Sequence, residues 1–147
     1  MTDTTATFVY VTYIRSTPET VHAAITTPEV ARRYWGHENV SDWRPGSEWR
    51  HVRADEAGTV ELIGRVVEND PPHRLVVTWA NASQQDDPAA FSRVIFAVEP
   101  MGDVVKLTVT HDGLQPGSGM ERGVTRGWPH VLSSLKSFLE TGQGLGL

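Results

Sequence analysis

Residues 118–142 read SGMERGVTRGWPHVLSSLKSFLETG, and this stretch decides the fold. Ser118 followed by Glu121 matches a capping box, with Ser118 as the cap and Glu121 expected to reach back to its N–H. Val124, Trp128, Val131/Leu132, Leu135 and Leu139 then recur at i, i+4, i+7/8, i+11 and i+15. That spacing is one apolar face of a helix about 30 Å long. Gly142 is the expected stop, with a frayed tail behind it. Inside the helix, Pro129 has no N–H to give Thr125 and its ring crowds that carbonyl, at a cost of about 3 kcal/mol. Gly123 and Gly127 weaken the same turns by about 1 kcal/mol each relative to alanine. A kinked or broken segment is expected there, with Met120 to Trp128 as a mobile portal and Val131 to Leu139 fixed in the core.

Outward from that helix the chain is a succession of strands. Val105, Leu107, Val109 and His111 share one face of residues 104–111, and Val94, Phe96 and Val98 alternate in the strand before. Leu75, Val77 and Trp79 share a face in 73–80, and Trp49 and His51 share one in 48–53. The run 58–69 is interrupted by Gly64, which predicts a bulge or a bend. No helix intervenes between these runs, so an antiparallel meander is the natural topology. The opening strand, 7–15 (TFVYVTYIR), is apolar on both faces and is expected to be partly covered on each side. Thr17-Pro18 then starts a short helix carrying Val21, Ala24 and Ile25, and Thr27-Pro28 repeats the device for Val30, Ala31 and Tyr34. Trp35-Gly36 ends the second helix. The fold class is α+β: a strand, two short helices, five or six antiparallel strands, and a long helix packed on the concave face of the sheet. One domain, 1–147, is expected.

Composition narrows the functions. Thirteen Lys+Arg against 18 Asp+Glu leave a net charge of −5 with no basic run, which argues against a nucleic-acid partner. The absence of Cys removes disulfides, thiolate nucleophiles and cysteine-ligated metals. No apolar run approaches the length of a membrane span, so no membrane insertion is expected. Residues 1–10 lack the regions of a signal peptide, which predicts a cytoplasmic protein.

No histidine pair has i, i+4 spacing and no H-E-x-x-H occurs, so no metal site is expected. The glycines at 113, 117 and 119 lack dinucleotide spacing, and no cofactor is expected. No serine sits in a G-x-S-x-G elbow, and no pair of carboxylates visibly converges, so no catalytic residue is assigned. His111 is the histidine of most interest, because it continues an inward strand face; it either orients a ligand or is a core histidine held by a backbone group. His51 is second. Five Trp against four Phe and three Tyr is the unusual count, since Trp is normally the scarcest. Trp35, Trp49, Trp79 and Trp128 either pack as plain core or rim a cavity.

Tyr34-Trp35-Gly36, Arg44-Pro45-Gly46, 64–79 (GRVVENDPPHRLVVTW), 94–100, 107–114 (LTVTHDGL) and 127–142 occur in an order that resembles a known family. It is the Activator of Hsp90 ATPase homologue 1-like group of the START/Bet v 1-like (SRPBCC) superfamily. The resemblance implies a helix-grip fold, in which the sheet wraps the C-terminal helix around an apolar cavity. Members bind or act on lipids, polyketides, steroids and flavonoid-like aromatics. The expected function is therefore binding of a small apolar or aromatic molecule, with Trp35, Trp49, His51, Trp79, Phe96, His111, Met120, Val124, Trp128 and Leu132 as candidate ligand contacts. The alternatives are an enzyme (cyclase, dehydratase or hydrolase) acting on such a compound, and an interaction protein that modulates a chaperone or other protein partner.

Overall fold

The computed structural model describes residues 4–146. Its elements run β1 (Ala6–Ile14), α1 (Pro18–Thr26), α2 (Pro28–Trp35), β2 (His37–Val40), β3 (Glu48–Arg53), β4 (Val60–Asp70), β5 (Arg74–Asn81), β6 (Ser92–Met101), β7 (Val104–Leu114) and α3 (Gly119–Thr141). One curved sheet has the order β1-β7-β6-β5-β4-β3-β2, every neighbouring pair antiparallel. The strands from β2 to β7 form the meander, and β1 returns to close its far side against β7. This is the helix-grip arrangement, with six strands after the two short helices. The strand the sequence did not show is β2, whose four residues HENV carry too little apolar periodicity to signal it. Residues 82–84 and 88–90 form two 3-10 turns.

Local chemistry explains the helix ends. Thr17 caps α1 by accepting from the Thr20 N–H at 3.2 Å. Thr27, expected to repeat this, makes no side-chain cap bond; Pro28 at the first turn simply needs no acceptor for a missing N–H. Gly36 ends α2 at φ 71°, a left-handed conformation that glycine adopts without penalty. At α3 the Ser118 hydroxyl accepts from the Glu121 N–H at 3.1 Å, but the Glu121 carboxylate accepts from Gly117, not from Ser118. The Ser118 N–H is already committed to the Gln115 carbonyl. Of the kink or break expected at Pro129, a break does not occur: α3 stays helical over all 23 residues. Packing of Val124, Trp128, Leu132 and Leu135 into the core outweighs the local weakness.

Two further expectations are corrected by packing. The outer face of β1 is uncovered: Val9, Val11 and Tyr13 are 54%, 42% and 47% exposed, because an edge strand paired only to β7 has no element outside it. The tail after Gly142 is tied rather than frayed as far as Leu145. Leu145 N–H donates to Ser134 Oγ at 2.9 Å, and that hydroxyl donates to the Tyr34 carbonyl at 2.7 Å. Among the described residues, no helix is long and apolar enough to cross a membrane.

Gly64 has a role other than the bulge expected of it. The irregularity in the β4–β5 ladder lies between Val66 and Glu68. At Gly64 the Trp49 indole crosses β4 and donates to the Thr78 carbonyl on β5 at 2.7 Å. A β-carbon at Gly64 would overlap that carbonyl oxygen and stand 2.6 Å from Trp49 Nε1. The glycine is required by this close approach.

Candidate functional site

Alternation along β3 turns Trp49 and His51 inward, and His51 is 3% exposed. Its Nδ1 lies 2.7 Å from Asn39 Oδ1, across the β2–β3 pair, and Asn39 Nδ2 donates to the Ile25 carbonyl at 2.9 Å. The Ile25 oxygen only accepts, which fixes the amide; Asn39 Oδ1 only accepts, so His51 carries its proton on Nδ1. Burial, helped by the charge of His37, pushes His51 down to about 3. The ring is therefore neutral at neutral pH. Its one hydrogen bond among the described residues is the one at Nδ1, which leaves the Nε2 lone pair free. His37 stacks on the ring with centroids 4.4 Å apart and planes 8° apart. Its own nitrogens face the Trp35 carbonyl and the Glu61 carboxylate, each at 3.1 Å.

His111 is built the opposite way. Trp128 Nε1 donates to His111 Nδ1 at 3.0 Å, so the proton sits on Nε2, which donates to Ser92 Oγ at 2.7 Å. The Ser92 hydroxyl passes on to the Trp79 carbonyl at 3.0 Å. His111 is fully buried, and that burial pushes it down to about 4, with the Asp112 charge acting the other way. Both ring nitrogens are spent on protein partners. His111 holds the Trp128 indole in place.

Between the sheet and the first half of α3 lies a part-open cavity of about 260 Å³. Trp35, Trp79 and Trp128 form its aromatic wall, with ring centroids 5.6 Å apart for Trp35 and Trp128 and 5.4 Å for Trp79 and Trp128. His51 and Asn81 add polar atoms, and Leu62, Met120, Val124 and Val131 add apolar ones. Gly119, Gly123 and Gly127 complete the helix side; a β-carbon at Gly123 or Gly127 would meet nothing within 4 Å. Trp79 Nε1 is the one buried side-chain polar atom without a partner among the described residues.

Of the residues singled out by sequence, Trp35, His51, Trp79, Met120, Val124 and Trp128 line this cavity. Trp49 and Phe96 line a void of only about 10 Å³ beside it, with Trp35 and Trp79 shared between the two. His111 and Leu132 are buried and line neither. Sequence missed Leu62, Asn81, Val131, the glycines and Asn39. The glycines were legible, since 119, 123 and 127 fall at i, i+4 and i+8 beside Val124 and Trp128; Asn39 sat in an unrecognised strand.

The glycine edge leads to a measurable result. Gly127→Ala is expected to stabilise the protein by up to about 1 kcal/mol through helix propensity, because its methyl enters open space. Urea denaturation checks this. A loss of stability would show that the helix edge is already closely packed.

An antiparallel sheet gripping a C-terminal helix, with an aromatic-walled cavity between them, defines the helix-grip class. Solved structures with the same fold include protein MLL2253 from Mesorhizobium loti, with 25% identity, a TM-score of 0.75, and 92% of this chain and 97% of that one covered. The Aha1 dimer from Colwellia psychrerythraea aligns at 20% identity and a TM-score of 0.77, over 95% of this chain and 99% of that one. CalU16 from Micromonospora echinospora aligns at 21% identity and a TM-score of 0.71, over 92% and 77%. No curated protein matches by sequence. The chain belongs to the Activator of Hsp90 ATPase homolog 1-like protein family, whose model matches residues 15–140.

Proposed function

We propose that the protein binds a small apolar or aromatic molecule in the cavity between the sheet and α3. The observation that carries this is the cavity itself: three tryptophans wall a space that Gly123 and Gly127 leave open, at a cost in helix stability of about 1 kcal/mol each. An engineered apolar cavity of about 150 Å³ takes benzene, so about 260 Å³ suits a compound of one or two rings. Binding is favoured over catalysis by the state of His51. A general base works best when it titrates near the operating pH, whereas burial pushes His51 far below that, and its partner is the neutral Asn39 amide. A second reading, a surface for a protein partner, is favoured by the exposed apolar row of Val9, Val11 and Tyr13.

Thermal denaturation with naphthalene tests the first reading. At ten times its Kd the ligand should stabilise the native state by about 1.4 kcal/mol, raising Tm by about 4 °C. Gly127→Leu, which fills the open side, should abolish the rise. An unchanged Tm in the native protein overturns cavity binding and leaves the β1 face as the leading candidate.

A further inference from the structure

Building on cavity binding, we infer that the ligand is a neutral hydroxylated aromatic, a phenol or naphthol in chemical class, whose O–H donates to His51 Nε2. His51 Nδ1 is turned to Asn39, which lies outside the cavity lining, so Nε2 is the ring nitrogen left for the cavity. The chain Ile25 carbonyl, Asn39 amide, His51 Nδ1 holds that atom as an acceptor and nothing else. A lone pair facing a mostly apolar cavity rewards a donor over a ligand that offers only another acceptor. Burial with no carboxylate partner keeps the ring from taking the hydroxyl proton, so the ligand is held without being ionised.

Charge selects further. No carboxylate lines the cavity. An alkylammonium guest would meet aromatic faces but no counter-ion. A phenolate would set its negative oxygen against the Nε2 lone pair. The neutral hydroxyl is the form that gives His51 Nε2 a donor without bringing a charge into the cavity.

The test compares 2-naphthol, 2-methoxynaphthalene and phenyltrimethylammonium by calorimetric titration of the native protein and of His51→Phe, which keeps a ring but removes the acceptor. In the native protein 2-naphthol should bind about tenfold more tightly than its methyl ether. In the variant the two should bind alike. Should the variant fail to fold, ¹⁵N resonances of the native histidines give the same answer: His51 Nε2, unprotonated when free, shifts on adding 2-naphthol and stays put with the ether. Equal affinity of the two naphthalenes in the native protein, or a preference kept in His51→Phe, overturns the hydrogen bond while leaving cavity binding intact. Tighter binding of phenyltrimethylammonium overturns the ligand class. Binding of none of the three overturns cavity binding and the ligand class together.

Discussion

Gly64→Ala is expected to destabilise the fold by about 3 kcal/mol or more, a large share of the stability of a domain this size. The added methyl has nowhere to go. On one side is the backbone carbonyl of Thr78, which cannot rotate away without breaking the β4–β5 ladder, and on the other is Trp49 Nε1, 2.6 Å away. Relieving the clash means withdrawing the Trp49 indole, which loses its bond to Thr78 and leaves a buried donor unpaired. Trp49 packs against Trp79 at a tilt, with centroids 5.2 Å apart, so the cavity wall moves as well. Chemical denaturation reads the loss of stability, and near-UV circular dichroism reads the displaced tryptophans. A variant as stable as the native protein would show that Trp49 does not cross β4 as described.

Acid should weaken the fold steeply between about pH 6.5 and pH 4. His51 and His111 have their folded-state values lowered to about 3 and about 4 from an ordinary 6.5. In that window the unfolded chain binds a proton at each histidine and the native state resists, so stability is fully present above 6.5 and is lost as pH falls. Each histidine contributes about 1.4 kcal/mol per pH unit while this holds, giving on the order of 5 kcal/mol for the pair at pH 4. The structure supplies the reason. Protonating His111 at Nδ1 would set two donors against each other at Trp128 Nε1, and protonating His51 would bury a charge whose one polar partner is the neutral Asn39 amide. Urea midpoints measured at pH 7, 5.5 and 4.5 check the slope. Stability that stays flat over this range would mean that both rings gain protons freely in the folded state.

Most of the fold was legible because its signals are local and redundant. The stripe from Val124 to Leu139, the Ser118 cap and the inward face Val105–His111 each needed only spacing and residue type. What failed was decided by distant partners. Gly64 looked like a strand defect, yet its reason is an indole from β3 and a carbonyl from β5. Pro129 looked like a kink or a break, yet core burial on both sides of it keeps α3 unbroken. Trp43 drew no attention, yet it adopts a left-handed φ of 62°, fixed by its indole bond to the Thr26 carbonyl and by Asn69 donating to its own carbonyl. The candidate site shows the same division. Its tryptophans stood out by number, whereas the roles of the two histidines depend on which neighbour faces which ring nitrogen. His111 looked the better ligand contact and proves to be wired to Trp128 and Ser92; His51, the second choice, keeps a free nitrogen because Asn39 takes only one.

The central claim is that the space walled by Trp35, Trp79 and Trp128 is where a ligand sits. Indole N–H resonances report on it directly, since the five tryptophans occupy different surroundings. Trp43 and Trp49 donate to backbone carbonyls, Trp128 donates to His111, and Trp79 has no acceptor. Titrating 2-naphthol into uniformly ¹⁵N-labelled protein should move the Trp35, Trp79 and Trp128 signals along one saturable curve, with Trp43 unmoved. Saturable shifts confined to Val9, Val11 and Tyr13 amides on β1, or no shift at any indole, would contradict the cavity as the binding site.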